Sequence, residues 1–241
     1  MSGAPRYAIY FVPPPDGVLY RLGRALLGYD VYTGADVPPP VDADLPADWA
    51  TLTEEPRRYG FHATLKAPFR LAPGCDEAGL RDAVQRVAAE QPDIPSIRPV
   101  VRSIGGFVAI VPDVRVPALD RLAADCVTRL DRFRAPLTAA ERARRLTSIA
   151  GERERENLEQ WGYPYVFAEF RFHMTLTGRL PDERRPAVME QMTGLVEKRH
   201  GRGPLAIDRI VLLRQDTPDA RFRVLVTAPL CERATAPAQP G

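Results

Sequence analysis

His62-Ala63-Thr64-Leu65 and His173-Met174-Thr175-Leu176 decide the reading of this chain. Both strings read His-x-Thr-Leu, and their histidines lie 111 residues apart (173 − 62), one in each half of a 241-residue sequence. Of the three histidines only His200 stands outside them. Each string lies in a stretch rich in apolar and aromatic residues, Phe61 to Leu71 and Phe167 to Gly178, that predicts a strand. Side chains alternate between the two faces of a strand. His62, Thr64 and Lys66 are therefore expected on one face of the first strand, with Phe61, Ala63, Leu65 and Ala67 on the other. In the second strand Arg171, His173, Thr175 and Thr177 share one face, and Phe170, Phe172, Met174 and Leu176 share the other. Each strand thus offers an apolar face to a core and a donor-rich face to a cleft. The repeat predicts a duplicated unit that sets two imidazoles in one site, equipment for acid–base chemistry near neutral pH.

Working outward, Tyr7 to Val12 predicts a strand stopped by Pro13-Pro14-Pro15, and Asp16 can cap a helix running to about Leu27. Residues 28–58, rich in Pro, Asp and Gly, form a long irregular connection of a kind often tied to function. Residues 76–90 and 117–133 carry helical periodicity, and Ile97–Ser103 with Phe107–Val111 predict a hairpin across Gly105-Gly106. Residues 137–160 alternate Arg and Glu and read as a solvated helical insertion. A helix over 182–199 and a closing hairpin, Ile207–Leu213 with Phe222–Ala228, complete the pattern; residues 231–241 read as a disordered, Pro-rich tail. The expected architecture is α+β. Residues 1–230 make a single bilobal domain, with two small antiparallel sheets facing a central cleft and helices outside.

Composition narrows the function classes. A net charge of +2 is too small to imply a nucleic-acid or membrane partner by itself. Lys66 and Lys198 are the two lysines among 33 basic residues, so arginine dominance reflects the whole sequence rather than a binding tract. Cys75, Cys126 and Cys231 form no C-x-x-C pair, which argues against zinc and redox motifs. With neither a signal-peptide pattern nor a membrane-length apolar run, the expected location is the cytoplasm, with no membrane contact.

A phosphate fits the polar faces. The Thr64 and Thr175 hydroxyls can donate to its oxygens, and Lys66 can add positive charge. One imidazole can take a proton from water while the other gives one to the leaving oxygen. Neither face adds a second His, Cys or carboxylate, so no metal site is expected and no cofactor is required. Other residues have two readings. Arg171 either reaches the ligand or ends in solvent, and Arg214 either lines the cleft or pairs with Asp216. Trp161, Tyr163 and Tyr165 either pack in the core or cover the cleft, while His200, before Gly201, belongs at a helix C-terminus.

Two His-x-Thr motifs on strands in the two halves of a chain of this size resemble the 2H phosphoesterase superfamily, which includes cyclic phosphodiesterases and RNA 2′,5′-ligase-like proteins. The flanking strings Arg58-Tyr59-Gly60-Phe61 and Lys66-Ala67-Pro68-Phe69, with Phe170-Arg171-Phe172 and Thr177-Gly178, are similar to its phosphonate-metabolism branch, the DUF1045-like proteins. The resemblance implies a bilobal LigT-like fold and a metal-independent hydrolase. It implies His62 and His173 as the acid–base pair and Thr64 and Thr175 as phosphate ligands, with Tyr10 lining the cleft. It also implies a small cyclic phosphodiester as substrate, such as a phosphoribosyl cyclic phosphate of phosphonate catabolism. Two rival readings are a non-catalytic binder of phosphorylated nucleotides or RNA ends, for which the 137–160 segment speaks, and RNA ligation by the same chemistry.

Overall fold

The computed structural model describes residues 4–147 and 149–230. Strand β1 (Arg6–Phe11) leads into helix α1 (Val18–Leu27), which buries Leu19, Leu22 and Leu26 and ends at Gly28 with φ 72°. The cap residue of α1 is Gly17 and no side chain caps it, so the expected Asp16 cap does not form. Two short helices, α2 (Trp49–Leu52) and α3 (Glu54–Arg57), precede β2 (Ala63–Arg70). Helix α4 (Glu77–Ala89) is capped by Asp76, whose carboxylate accepts from the Gly79 amide. The hairpin of β3 (Pro99–Ile104) and β4 (Phe107–Pro112) turns through Gly105 and Gly106, both at positive φ, as a tight two-residue turn requires. Helix α5 (Pro117–Leu130), α6 (Ala139–Leu146) and α7 (Glu152–Trp161) lead to β5 (Met174–Thr175). Helix α8 (Arg185–His200) and the hairpin of β6 (Arg209–Gln215) and β7 (Arg223–Pro229) close the described chain. The tail reading for 231–241 falls outside the described residues.

The class is α+β, as expected, but the strands divide differently. They form one antiparallel sheet in the order β3-β4-β5-β2-β1-β6-β7 rather than two facing sheets. The two halves join where β2 meets β5 through the pair Ala63↔Met174. About that junction the order is symmetric: β2 corresponds to β5, β1 to β4 and β3 to β6. A β-α-β-α-β unit therefore occurs twice, as β1-α1-β2-α4-β3 and β4-α5-β5-α8-β6. The helices follow the same exchange. Helix α4 packs on β6, β7 and α5, while α8 packs on β3, β4 and α1. Residues 28–58 and the segment holding α6 and α7 occupy equivalent places, each between the first helix of a unit and its motif strand. The 137–160 stretch lies within the second of these two connections. Its solvated reading holds: α6 buries no residue and α7 buries only Leu158.

The 28–58 connection is tied to both halves of the sheet. Tyr29 Oη donates to Phe222 O (2.9 Å), Val224 N to Val31 O (2.9 Å) and Gly178 N to Leu52 O (2.7 Å).

Candidate active site

The pairing of Ala63 with Met174 sets the site. Both are fully buried, on the apolar side of the sheet. In an antiparallel pair this register sets the His62 backbone opposite Thr175 and Thr64 opposite His173. All four side chains leave the sheet on the face opposite Ala63 and Met174. Diagonal neighbours of this kind have Cβ atoms about 7–8 Å apart, a gap that long side chains can close around a small ion.

Each histidine is fixed by the same local device. His62 Nδ1 lies 2.8 Å from Gly60 O, and His173 Nδ1 lies 2.7 Å from Arg171 O, in both cases the carbonyl two residues upstream. A carbonyl only accepts, so Nδ1 carries the proton and the neutral ring presents a bare Nε2. At His62 that nitrogen accepts from the Thr64 hydroxyl at 3.1 Å. Burial lowers the pKa of both imidazoles, that of His62 from 6.5 to about 4, and the charge of His173 pushes His62 further down. Each ring therefore senses, or is held in, a site that disfavours a proton before any anion arrives.

Gly60 makes this device possible. Its φ is +73°, and a Cβ there would stand 2.0 Å from Val31 Cγ1. Only glycine accepts both the left-handed backbone and the close approach of Val31.

The expected residues separate into two groups. Tyr10 lies with the histidines: its ring stacks on His62 at 3.7 Å with a 19° tilt, and burial raises its hydroxyl pKa well above the usual range. Lys66 does not lie there. On β2, Thr64 stands opposite Tyr10, while Lys66 stands opposite Ile9, the adjacent residue of β1. Adjacent residues face opposite ways, so a bulge at Leu65 turns Lys66 to the helix side. There its ammonium donates to Asp131 Oδ1 (2.9 Å) and Val127 O (3.1 Å). Thr177 also leaves the face, because β5 is only two residues long. It is fully buried, accepts from the Val108 amide and donates to Gly178 O.

Arg171 ends exposed, and Arg214 pairs with Asp216 and Glu77 on the helix side. His200 closes α8, with Nε2 3.2 Å from Gly203 O. The structure adds three aromatic neighbours that the sequence reading passed over. Tyr59 lies 6.3 Å from His62, Phe222 lies 6.2 Å from Tyr10, and Phe107 lies 5.5 Å from His173. Tyr59 immediately precedes Gly60 in the first motif's flank, a signal that was available. Phe222 and Phe107 come from distant segments and gave none.

Among the described residues no three of His, Cys, Asp or Glu converge as metal ligands. Among the described residues no helix is long and apolar enough to cross a membrane.

This is an α+β chain whose duplicated motif strands pair at the centre of one sheet and present two matched histidines and two threonines on one face. Residues 64–223, about two thirds of the sequence, match the family model described as "Protein of unknown function (DUF1045)", and the chain belongs to that family. It is 36% identical over 228 residues to a Ribose 1,5-bisphosphate phosphokinase PhnN of Janthinobacterium sp. (strain Marseille), covering 90% of this chain and 49% of that protein. It is 34% identical over 186 residues to the protein of the same name from Laribacter hongkongensis (strain HLHK9), covering 76% of this chain and 42% of that protein. The chain thus spans about half the length of the curated relatives it matches. Among solved structures, a phosphoesterase covers 94% of this chain and 99% of its own at 12% identity and a TM-score of 0.42. Escherichia coli LigT complexed with NADP+ covers 95% of this chain and 100% of its own at 11% identity and a TM-score of 0.41.

Proposed function

We propose that this chain is a phosphodiesterase of the two-histidine kind, opening a small cyclic phosphodiester between His62 and His173. The observation that carries the reading is the identical anchoring of both imidazoles, Nδ1 to the carbonyl two residues upstream, on adjacent paired strands. That device leaves two Nε2 atoms for one substrate.

His62, neutral at pH 7, serves as general base. Its Nε2 takes a proton from water as the water oxygen bonds to phosphorus. His173 serves as general acid: its Nε2–H gives a proton to the ribose oxygen as the ring P–O bond breaks. The arriving anion favours the protonated state of His173 and so offsets the burial that lowers its pKa. Thr64 exchanges its bond to His62 for one to a phosphate oxygen, and Thr175 donates from the opposite strand. Tyr10 holds the His62 ring by stacking.

The relatives' printed name speaks of a ribose bisphosphate and a kinase. A P-loop kinase needs G-x-x-x-x-G-K-S/T. Here Lys66 follows Leu65 and Lys198 follows Glu197, so neither lysine stands in such a string. We therefore assign to this chain phosphodiester chemistry on a ribose rather than phosphoryl transfer from a nucleotide.

The test is hydrolysis of ribonucleoside 2′,3′-cyclic phosphates and ribose cyclic phosphates in EDTA, with His62→Ala and His173→Ala alongside. Each variant is expected to lose at least about a hundredfold in kcat/KM, the usual contribution of a general acid or base. Full activity in either variant overturns the mechanism.

A further inference from the structure

His62 and His173 share one kind of anchor, but the two anchors are not equally held. Arg171, whose carbonyl receives His173 Nδ1, is exposed. Gly60, whose carbonyl receives His62 Nδ1, is buried against Val31. A buried acid keeps Val31 in place. Asp30 and Lys66 are the two charged side chains that are buried among the described residues. Lys66 belongs to the helix side with Asp131, whereas Asp30 lies in the 28–58 connection, immediately before Val31.

Asp30 Oδ1 accepts from the Tyr20 hydroxyl at 2.7 Å and from the Tyr32 amide at 2.9 Å. Its other oxygen pairs with Arg24, one turn along α1 from Tyr20. Burial by itself raises the Asp30 pKa. The bonds from Tyr20, the Tyr32 amide and Arg24 more than offset it, so the pKa lies below the ordinary 3.8 and the carboxyl is ionised at neutral pH. Tyr20 is fully buried and keeps its proton, because burial and Asp30 both raise its pKa. Its hydroxyl donates to Asp30 and accepts from the Val31 amide at 3.1 Å. The Val31 carbonyl accepts from Val224 of β7 at 2.9 Å. Both backbone polar groups of Val31 are thus committed, which fixes its side chain against Gly60. Tyr29 grips the same segment from the other side. Its hydroxyl donates to Phe222 O, and Phe222 N donates to Arg58 O at 3.1 Å, two residues before Gly60. A buried ion pair adds little net stability over an apolar equivalent; its better attested use is to fix one arrangement.

We propose that Asp30, acting through Tyr20, is the positioning residue of His62: it locks Val31 against Gly60 and so fixes the carbonyl that holds Nδ1 and aims Nε2. The catalytic consequence rests on the phosphodiesterase reading, whereas the placement of the ring does not. None of these bonds involves Arg171 or His173, so His173 serves as an internal reference.

The test is NMR of the imidazole nitrogens in the full chain and in Tyr20→Phe, Asp30→Ala and Asp30→Asn. Tyr20→Phe and Asp30→Ala are expected to convert part of His62 from the Nδ1–H to the Nε2–H tautomer while His173 stays as in the parent. Asp30→Asn, which keeps an oxygen for the Tyr20 hydroxyl, should restore the His62 signal. A loss of stability alone would change both rings or neither. In hydrolysis of ribonucleoside 2′,3′-cyclic phosphates, kcat should fall about tenfold to a hundredfold in Tyr20→Phe, the scale of a displacement of up to about 1 Å, with KM little changed. The tautomer decides the proposal whether or not any cyclic phosphate is turned over. An unchanged His62 in both Tyr20→Phe and Asp30→Ala, or equal changes at the two histidines, overturns it. The parent alone supplies a second measurement that needs no variant to fold. Its His62 Nδ1–H should exchange with solvent more slowly than that of His173; equal or faster exchange at His62 contradicts the proposal.

Discussion

Ala63 pairs with Met174 at the centre of the sheet, and that one contact brings His62 and His173 onto a common face. The two motifs lie 111 residues apart in the chain (173 − 62), yet they are strand neighbours in space. Sequence order alone does not bring them together; the exchange of third strands and helices between two copies of a β-α-β-α-β unit does.

Gly60 is predicted to be indispensable to the position of His62. Gly60→Ala adds a Cβ 2.0 Å from Val31 Cγ1 at a φ of +73°. A loss of about 1–3 kcal/mol in unfolding free energy is expected, with the Gly60 O–His62 bond disturbed. Chemical denaturation measures the first, and the imidazole nitrogen shifts report the second. A variant as stable as the parent, with an unchanged His62 signal, contradicts the role.

The depressed pKa of His62 predicts acid-sensitive stability. Between its folded value of about 4 and the ordinary 6.5, the unfolded chain binds the proton that the folded chain refuses. Stability therefore rises with pH across that window, and the contribution is lost as pH falls from 6.5 toward 4. The full shift corresponds to about 3 kcal/mol at most. Urea unfolding at pH 4.5 and pH 7.5 should show a smaller pH difference in His62→Gln than in the parent. Equal differences in the two proteins tell against a buried, neutral His62.

Tyr10 contributes to that depression by covering one side of the ring. Tyr10→Ala should move the His62 pKa upward toward 6.5, because solvent then reaches the imidazolium. An NMR titration of the imidazole reads the change directly. A value that stays near 4 assigns the depression to other neighbours.

Lys66 is predicted to matter for stability. Lys66→Met removes a buried ammonium that donates to Asp131 and Val127 O. Asp131 keeps Arg134 and remains partly solvated, which moderates the loss to about 1–3 kcal/mol. An unchanged stability together with a hundredfold fall in kcat/KM would instead return Lys66 to the cleft.

The contrast between Thr64 and Lys66 shows how far the sequence was legible. The pairing of periodic strands and helices, the hairpin glycines and the faces of His62, Thr64, His173 and Thr175 follow from local pattern, since each is set by alternation over a few residues. Lys66 was misplaced because alternation fails at a bulge, and the bulge at Leu65 arises from the register between β1 and β2, which no local window contains. Thr177 was misplaced because the second strand was read as Phe167–Gly178, whereas only Met174–Thr175 pairs. The single continuous sheet was missed for a related reason. Two residues of β5 join its halves, too short a strand to stand out in a pattern.

The central claim is that one anion sits between both imidazoles. A crystal structure with inorganic phosphate or sulfate tests it most directly. An anion oxygen is expected within about 3 Å of Nε2 of both His62 and His173, with the Thr64 and Thr175 hydroxyls donating to the same ion. An anion held by one histidine alone, or Nε2 atoms directed to separate surroundings, would contradict it.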